Sequence, residues 1–381
     1  MDSKYSDFVP AQHDQIVRAV RKEIVSGLHQ PGDRLPNRVD LERRFQTTPT
    51  TLQKAFTHLK RSGFIVARGR AGTFVTKSPP HLHRYALVFW HNPSRLEDQG
   101  WSRLDSAVTQ AAHIESSEGL PCFPVFHDVK DRADSEDMRL LEAEVTEERL
   151  AGLIFIDPPY HIQDSPIFTH PGMPRVALSM TAFWPFQNVI LEPNQVIDRG
   201  LDFLKQNGRR KIALIASAQR IGFNTSDARA YFEAAVHQRG MITFPMWQCP
   251  AHAYVPDTAR QFAHLLTSLP PEQRPDGILI NDDHLVEQTA LGVMAAGLRV
   301  PEEVTLVGHA NFPLPPKPAL PVTLFGFDSC ELLRVCIDLI DRQRRGDSVP
   351  NRCVVAARSE SEVSKRLRPS HELVPSPHSL A

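Results

Sequence analysis

Basic and hydroxyl-bearing side chains between residues 31 and 76 could together bind a phosphate backbone. Residues 1–78 contain 14 Lys and Arg against 7 Asp and Glu, a formal charge of +7, whereas the whole chain carries −1. Lys and Arg neutralise phosphates, while Thr and Gln can hydrogen-bond base edges. This concentration of cations therefore indicates contact with a nucleic acid.

Polar and aromatic residues in the acidic remainder of the chain could instead hold a small molecule. Carboxylate, imidazole and amide groups follow several of its apolar runs, and aromatic rings could stack on the apolar face of a sugar. Asp282 is the strongest of these candidates, although each could also be an ordinary loop or core residue. The candidate effector contacts of this kind are His91, Trp101, Tyr160, Trp184, Asp282 and His309.

A short helix, a tight turn and a second helix are predicted to position the basic residues. Asn37 is suited to cap a helix over 38–45. Thr48 is suited to cap a second helix whose first residue is Pro49, because the amide that proline lacks would have no helical partner there. An amphipathic helix over 11–27 precedes this pair and is expected to pack beneath it.

Apolar residues recur every three to four positions in the second helix and predict a buried stripe. The stripe turns a short, polar and cationic face outward. The buried set is Leu52, Ala55, Phe56 and Leu59, and the outward set is Thr50, Gln53, Lys54 and Thr57.

Two short strands, over 64–67 and 73–76, are predicted to follow this helix around the turn Arg68-Gly69-Arg70-Ala71-Gly72. They would form a β-wing with a basic tip. A helix-turn-helix presents the N-terminus of its second helix to base edges, while surrounding cations contact phosphates. The predicted phosphate contacts are Arg38, Arg43, Lys54, Arg68 and Arg70; the predicted groove contacts are Thr50, Thr51 and Gln53; and Thr48 and Gly69 complete the DNA-binding set.

The stretch over residues 11 to 76 resembles the GntR-type winged helix. The resemblance rests on the segments PGDRLPN, TTPTTLQKAF and GRAGTFV. Two positions depart from the family pattern: Val39 stands where Arg is usual, with Arg38 one place earlier, and Pro49 stands where Arg often opens the recognition helix. The resemblance implies double-stranded DNA as a partner. A winged helix used for protein contacts is the alternative.

The segment 77–83 contains Pro79-Pro80 and is predicted to be a short, semi-stiff linker. Beyond it, apolar runs of four to seven residues alternate with amphipathic segments. This pattern predicts an α/β fold with parallel sheets covered by helices, and its length favours two similar lobes. The runs lie at 86–90, 122–126, 151–157, 175–178, 211–216, 276–280 and 305–308, and the helices at 101–117, 135–149, 194–206, 226–238, 257–268 and 283–296.

Residues 84 to 366 resemble the effector-binding domain of LacI-type regulators, which looks like a periplasmic binding protein. The segments NGRRKIALIA, ILINDDHLVEQTALGVMAAGLRVPEEVTLVG, LPVTLFGFDSCELLRVCIDLI and VVAARSES carry this resemblance. It implies a two-lobed domain whose chain crosses between lobes near residues 190, 325 and 350. Residues 367–381, rich in Pro, Ser and His, are expected to be a disordered tail.

Two positions depart from the LacI-type pattern. Ala228 takes the place of an Arg that often precedes a Gly-aromatic pair, and Arg229, one place later, is the candidate effector contact there. An Asp common after the strand ending at Gly308 is replaced by His309-Ala310. The resemblance implies a sugar or a related effector, and these departures favour a modified ligand or a sensor that no longer binds one.

Enzyme activity is not expected. The sequence has no GxxxxGK[ST] loop, GxGxxG turn, GxSxG elbow or HExxH pair. Its five cysteines are far apart, which favours reduced thiols, and no cofactor or metal site is predicted.

The polar N-terminus and the lack of a long apolar run favour a cytoplasmic protein with no membrane contact. The sequence therefore predicts a homodimeric regulator that represses transcription under control of a small-molecule effector.

Overall fold

The computed structural model of the protein describes most of the chain. Three predicted effector contacts, Trp101, Tyr160 and Trp184, lie outside the described part, as does the predicted tail beyond residue 367. The described residues are 11–92, 102–129, 135–156, 159, 162–179, 185–217, 225–253 and 255–367.

The N-terminal module consists of three helices and a two-stranded antiparallel sheet. Its elements are α1 Gln12–Val25, α2 Arg38–Arg44, α3 Pro49–Arg61, β1 Ile65–Ala67 and β2 Thr73–Val75. Both predicted caps are present, since the side chain of Asn37 accepts a hydrogen bond from the amide of Asp40 and that of Thr48 from the amide of Thr51. β1 and β2 pair with Ile65 opposite Val75.

A single apolar core holds this module together. The stripe predicted for the second helix is buried, and it packs against the inner face of α1 and against the wing. This burial removes apolar surface from water, the main stabilising contribution in a module of this size. The core contains Ile16, Val17, Val20, Ile24, Leu35, Leu41, Leu52, Ala55, Phe56, Leu59, Phe64, Ile65 and Val75.

The segment after the module is packed rather than extended. A short 3₁₀ helix spans Pro80–Leu82, and Pro79, Pro80 and His81 are all buried. The sequence predicted a semi-stiff tether here because adjacent prolines favour an extended chain. The structure differs because the His81 ring stacks on Phe64 and the His81 carbonyl accepts a hydrogen bond from Arg344.

In the described part of the chain, twelve further strands form two six-stranded sheets. The first sheet has the order β13-β7-β6-β5-β3-β4, and the second has the order β14-β12-β11-β10-β8-β9. The strands are β3 Tyr85–Val88, β4 Val125–Phe126, β5 Gly152–Phe155, β6 Arg175–Ser179, β7 Gln187–Leu191, β8 Ile212–Ser217, β9 Gln248–Ala251, β10 Gly277–Ile280, β11 Thr305–Phe312, β12 Val322–Asp328, β13 Arg352–Val355 and β14 Arg358–Ser359.

The pairs β3–β5, β5–β6, β8–β10 and β10–β11 are parallel, and the chain returns through helices between the two strands of each pair. The pair β11–β12 is also parallel, although its connection over 313–321 contains no helix, and the short edge strand β14 runs antiparallel to β12. The helices are α4 Ser102–Glu115, α5 Glu136–Thr146, α6 Pro166–Thr169, α7 Pro193–Gln206, α8 Thr225–Gln238, α9 Asp257–Thr267, α10 Asp283–Ala295, α11 Ser329–Arg345 and α12 Glu360–Leu367.

The chain passes from one sheet to the other three times, between β7 and β8, between β12 and β13, and between β13 and β14. The passages lie at residues 192–211, 329–351 and 356–357, and the lobe crossings near residues 190, 325 and 350 stay a prediction. Of the two compact units, one contains the described residues up to Trp90 with Ser116–Ala177 and Ile337–Val349. The other contains those of His91–Glu115, Leu178–Cys336 and the chain from Pro350 onward.

The central strands are buried on both faces, which is why their sequences read as continuous apolar runs. β11 is longer than predicted. The sequence pattern ended it at Gly308, but all eight residues from Thr305 to Phe312 are buried and the pairing with β12 continues to Phe312 opposite Asp328. This extension carries His309 and Asn311 into the strand, whereas the sequence pattern ended the strand before them. Among the described residues, no helix is long and apolar enough to cross a lipid bilayer.

Candidate functional site

The exposed N-terminal face of α3 is the surface best suited to a DNA groove. Thr50, Gln53 and Lys54 are all exposed, and they lie opposite the buried stripe that holds the helix on the module. The Thr48 hydroxyl accepts a hydrogen bond of 3.3 Å from the amide of Thr51 and lies 2.9 Å from its hydroxyl. The cap thus fixes the start of the helix and the direction of its first turn.

Cations flank this face on α2. Arg38 and Arg43 are exposed, and Arg43 lies 3.5 Å from the exposed carboxylate of Asp40 one helical turn earlier. An exposed pair of this kind contributes little to stability, so the guanidinium can turn to a phosphate at little cost. Arg44 is engaged differently, since it pairs with Glu23 of α1 and lies over the ring of Phe45.

Three arginines lie at the wing, and one of them, Arg34, was not among the predicted DNA contacts. Arg68 lies over the ring of Phe74 with 4.6 Å to its centroid, while Gly69 and Arg70 are exposed at the turn. Arg34 lies beside the same turn, where a Cβ added to Gly72 would come within 2.9 Å of its Nε atom. Arg34 belongs to the segment PGDRLPN, but residue spacing alone does not predict that it lies beside the wing.

A buried polar cluster lies where β10 ends and α10 begins. Asp282 caps α10, and its Oδ1 accepts a 3.0 Å hydrogen bond from the amide of His284 and lies 2.9 Å from the Nδ1 atom of that ring. The same Nδ1 lies 3.3 Å from Oδ1 of Asp283. The amide nitrogen of Asn311 donates to Oδ2 of Asp283 at 2.8 Å. The cluster therefore joins α10 to the extended end of β11.

The cluster is charged despite its burial. Burial by itself would lower the pKa of His284, but its hydrogen bonds to Asp282 and Asp283 outweigh that effect and raise the pKa to about 9. Burial would likewise raise the pKa of Asp283, but the hydrogen bond to His284 and the nearby ring of His309 keep it below its ordinary value. The site thus contains an imidazolium between two carboxylates.

By ligand type, Asp282, Asp283 and His284 could also hold a metal ion, since one donor atom from each lies within 4.8 Å of the others. The imidazole nitrogen that would bind the metal faces both carboxylates and is protonated under ordinary conditions. A metal ion would have to displace this proton, which the two carboxylates stabilise. The geometry therefore favours an internal ion pair over a metal centre.

The predicted effector contacts are only partly brought together. Asp282 and His309 belong to the same buried region, with 4% and 3% of their surface exposed. Arg229 lies elsewhere, because its Nε donates to Oε1 of Gln248 at 3.3 Å on the edge strand β9, and β8 stands between β9 and β10. His91 is half-buried and follows β3 of the first sheet. Sequence analysis missed Asp283 and His284, whose signal was the Asp-Asp-His run after an apolar strand.

Helix α4 lies against β11 in the same compact unit. Its Arg103 pairs with Glu287 of α10 at 3.5 Å, and Glu115 near its other end pairs with Arg334 of α11 at 2.6 Å. Asp105, in its first turn, is 2% exposed. The helix thus covers part of the strand on which His309 lies.

The fold and this arrangement define a class of protein: a winged-helix DNA-binding module followed by a two-sheet, periplasmic-binding-protein-like domain. Residues 12–75 match the bacterial regulatory proteins of the gntR family, and residues 201–361 match the periplasmic binding protein-like domain. The chain therefore contains a gntR-type winged-helix region at residues 12–75 and a periplasmic-binding-protein-like domain that includes residues 201–361.

Two characterised relatives share the N-terminal module. The HTH-type transcriptional regulator TauR of Rhodobacter capsulatus is 36% identical over 93 residues, which cover 24% of this chain and 18% of that protein. The HTH-type transcriptional repressor YtrA of Bacillus subtilis is 33% identical over 67 residues, 17% of this chain and 51% of that protein. The matched region thus spans about half of one relative and less than a fifth of the other.

Solved structures share the fold of the larger domain. A LacI family transcriptional regulator from Lactobacillus casei with bound glucose superposes with a TM-score of 0.51 at 15% identity, over 73% of this chain and 98% of that one. A LacI family regulatory protein from Chloroflexus aggregans gives a TM-score of 0.51 at 18% identity, over 72% and 96%. At these identities the likeness establishes the fold alone.

Proposed function

We propose that the protein is a transcriptional repressor that binds a DNA operator with an affinity set by a small-molecule effector, a carbohydrate or a derivative of one. The observation that carries the proposal is the exposed, polar and cationic start of α3, held by its cap and buried stripe on the same chain as a binding-protein-like domain. Such a protein acts in the cytoplasm, where the chromosome is.

Each part of the winged helix has a distinct role in this function. The side chains of Thr50, Thr51 and Gln53 enter the major groove with the first turns of α3. Arg38, Arg43 and Lys54 contact phosphates beside the groove, and these contacts fix the position of the helix without reading sequence. The wing contributes Arg68 and Arg70 at its tip, with Gly69 allowing the turn.

One winged helix reads only a few base pairs, so useful specificity requires two copies on two half-sites. We therefore assign the working state as a homodimer on a two-fold symmetric operator. Exposed apolar side chains on the sensor domain, among them Phe244, Met246 and Leu265, support an association between chains because large apolar groups favour burial.

The effector site is proposed to include Asp282 and His309. Carboxylate and imidazole groups hydrogen-bond sugar hydroxyls, and the Lactobacillus casei structure of the same fold contains bound glucose. Effector binding would favour one state of the sensor domain over another. The resulting change in operator affinity is limited to the difference in the effector's affinity for the two states.

DNA binding can be tested by fluorescence anisotropy with a labelled duplex from upstream of the protein's own gene. We expect tight binding that weakens steeply as salt rises from 50 to 200 mM, because cationic side chains displace counterions from phosphates. A scrambled duplex of the same length is the matched control. Equal affinity for both duplexes, or binding that does not depend on salt, would contradict the proposal.

A thermal-shift screen of mono- and oligosaccharides tests the effector. A ligand at 100 times its dissociation constant stabilises the protein by about 2.7 kcal/mol, which produces a measurable rise in melting temperature. The variant Asp282→Asn should lose the shift for the same sugar. A shift that is unchanged in this variant would exclude Asp282 from the effector site.

A second function is supported by the burial around β11. Asp282, His309 and Asn311 are all buried, and α4 covers part of the strand. A sensor domain with this surface filled would leave a constitutive DNA-binding regulator that responds to no sugar. Operator binding that is unchanged by every compound in the screen would favour this function.

A further inference from the structure

We propose that the winged helix is docked on the domain that contains the first sheet. Two contacts form this joint: buried Arg21 pairs with Glu147, and buried His81 stacks on Phe64. The joint would hold the DNA-binding module in a fixed orientation relative to this domain. The linker itself is packed within the joint. All four residues belong to one compact unit. This inference does not depend on the effector or on operator binding.

The first contact of the joint is an ion pair with a buried partner. The side chain of Arg21, on α1, is 4% exposed, and its Nη2 lies 3.8 Å from Oε2 of Glu147, which follows α5. His58, near the end of α3, lies at the same distance from that oxygen. Two helices of the DNA-binding module therefore meet one carboxylate of the sensor domain.

Glu147 is itself held in place by a network of the sensor domain. Nε of Arg149 lies 3.3 Å from Oε2 of Glu147, and its Nη2 lies 3.1 Å from Oε1 of Glu144. Glu144 also pairs with Arg84, which follows the linker, at 3.3 Å. The carboxylate that receives Arg21 is thus fixed before the module docks, and a fixed partner costs less entropy on binding than a mobile one.

The carboxylate of Glu147 stabilises the positive charge of the buried Arg21 side chain. Burial lowers the pKa of Arg21, and the carboxylates of Glu147 and Glu148 oppose that effect, while Arg149 and Arg18 add to it. The guanidinium also lies 5.5 Å from the centroid of the Phe64 ring. Removing the carboxylate partner of a buried cation strongly destabilises a protein, because the cation stays buried and does not regain its hydration.

The second contact is aromatic and lies in the linker. The His81 ring is parallel to the ring of Phe64 within 9°, with 5.8 Å between centroids. Burial and the neighbouring charge of Arg344 lower the pKa of His81 to about 4, so the ring is neutral and stacks without a desolvated charge. Phe64 belongs to the core of the DNA-binding module, which places the linker directly on that core.

The joint continues to the last turn of α11. Nη1 of Arg344 donates to the carbonyl of His81 at 3.0 Å, and its Nη2 pairs with Asp341 at 3.1 Å. The hydroxyl of Tyr85, on β3, donates to the same Asp341 at 2.7 Å. The last turn of α11 therefore links the linker to β3 within the same compact unit.

Hydrogen–deuterium exchange of the linker amides tests the joint on the intact chain without DNA. The amides of Leu82, His83 and Arg84 donate within the 3₁₀ turn, so they are protected while the module is docked. We expect Glu147→Gln to raise their exchange rate about tenfold or more, because opening of the joint becomes easier. Glu136→Gln, a substitution of the same type at an exposed position of α5, should leave the rate unchanged.

A double substitution separates docking from general destabilisation. Arg21→Met combined with Glu147→Leu removes both charges, and the pair should recover most of the protection that Glu147→Gln loses. His81→Ala tests the second contact in a chain whose charges are intact, and it should also speed exchange at Leu82 and His83. Exchange that is unchanged in both Glu147→Gln and His81→Ala would overturn the proposal, as would equal effects of Glu147→Gln and Glu136→Gln.

Discussion

At the scale of single residues, His284 shows how a half-buried group acquires its charge from its neighbours. Its ring nitrogen faces Asp282 and Asp283, and the two carboxylates raise its pKa to about 9 although burial acts in the opposite direction. In the unfolded chain the same ring titrates near its ordinary value of 6.5. The folded state therefore binds one more proton than the unfolded state between these two values.

This difference predicts a pH dependence of stability. Since the folded pKa is the higher one, the contribution of His284 is fully present below about pH 6.5 and is lost as pH rises towards about 9. Urea unfolding of the wild type and His284→Asn at pH 6, 7.5 and 9 measures it. The stability difference between the two proteins should shrink as pH rises, and a constant difference would rule out this role.

His81 titrates in the opposite direction. Its folded pKa of about 4 lies below the ordinary value, first because the ring is buried and then because Arg344 is near. The folded state binds fewer protons than the unfolded state between about pH 4 and 6.5, so stability should rise with pH across that window. His81→Phe retains an aromatic ring without the titration, and its stability should vary less with pH there in the same urea assay.

At the scale of elements, β11 and β12 approach each other closely at Gly326. A Cβ added to Gly326 would lie 1.7 Å from the carbonyl oxygen of Ala310, which is backbone and cannot move aside. At Gly308 the nearest atom is a methyl group of Val286 at 2.9 Å, which can shift.

Gly326→Ala should therefore destabilise the protein by about 3 kcal/mol or more, because the two strands must separate locally to accept it. Gly308→Ala is the graded comparison, and it should cost clearly less since side-chain tips can adjust. Denaturant midpoints of the two variants provide the measurement. Equal costs would show that the close approach of the strands does not decide the outcome.

The wing yields a prediction about DNA. Arg70 is exposed at its tip, and if it contacts one phosphate, Arg70→Ala should reduce the slope of log affinity against log salt by about one unit. Lys205→Ala removes the same charge from an exposed position of α7 in the sensor domain and serves as the control. An unchanged slope in Arg70→Ala would remove the wing tip from the interface.

The N-terminal elements could be predicted well from sequence because their signals are local. The caps at Asn37 and Thr48, the stripe on α3 and the two wing strands depend on residues a few positions apart. The extension of β11 and the packing of His81 could not be predicted, because each depends on partners far along the chain. Arg344 reaches His81 across more than 250 positions.

The candidate effector region was predictable only in part for the same reason. The position of Asp282 directly after an apolar strand marked it as a candidate. Asp283 and His284, in contrast, have the sequence pattern of exposed residues in the first turn of a helix. Their burial depends on β11, which supplies Asn311, and on the nearby ring of His309. A pattern confined to neighbouring positions carries no information about such long-range enclosure.

At the scale of the whole molecule, charge is divided unequally between the N-terminal part and the rest of the chain. The N-terminal part has a formal charge of +7 although the whole chain carries −1, so the remainder is acidic. An acidic sensor domain is repelled by phosphates, which favours DNA contact through the winged helix alone. This division is consistent with a reader and a sensor on one chain.

The proposed dimer is testable at this scale. Light scattering should give twice the mass of one chain, and a duplex with two half-sites should bind far more tightly than one with a single half-site. Tight binding should require the half-site centres to lie about 10 base pairs, or a multiple of that, apart. A variant pair Met246→Lys and Leu28→Lys compares an exposed apolar residue of the sensor domain with one of the winged helix. Monomeric mass in the wild type would contradict the assignment.

The wing is anchored by a segment that precedes both α2 and α3. The amide of Leu35 donates to the carbonyl of Thr73 at 2.9 Å, and the amide of Val75 donates to that of Asp33 at 2.8 Å. A chimaera that borrowed only residues 37–61 from another regulator would therefore keep this anchor outside the graft. New base preference could be transplanted with the helices while the hairpin stayed in its native place.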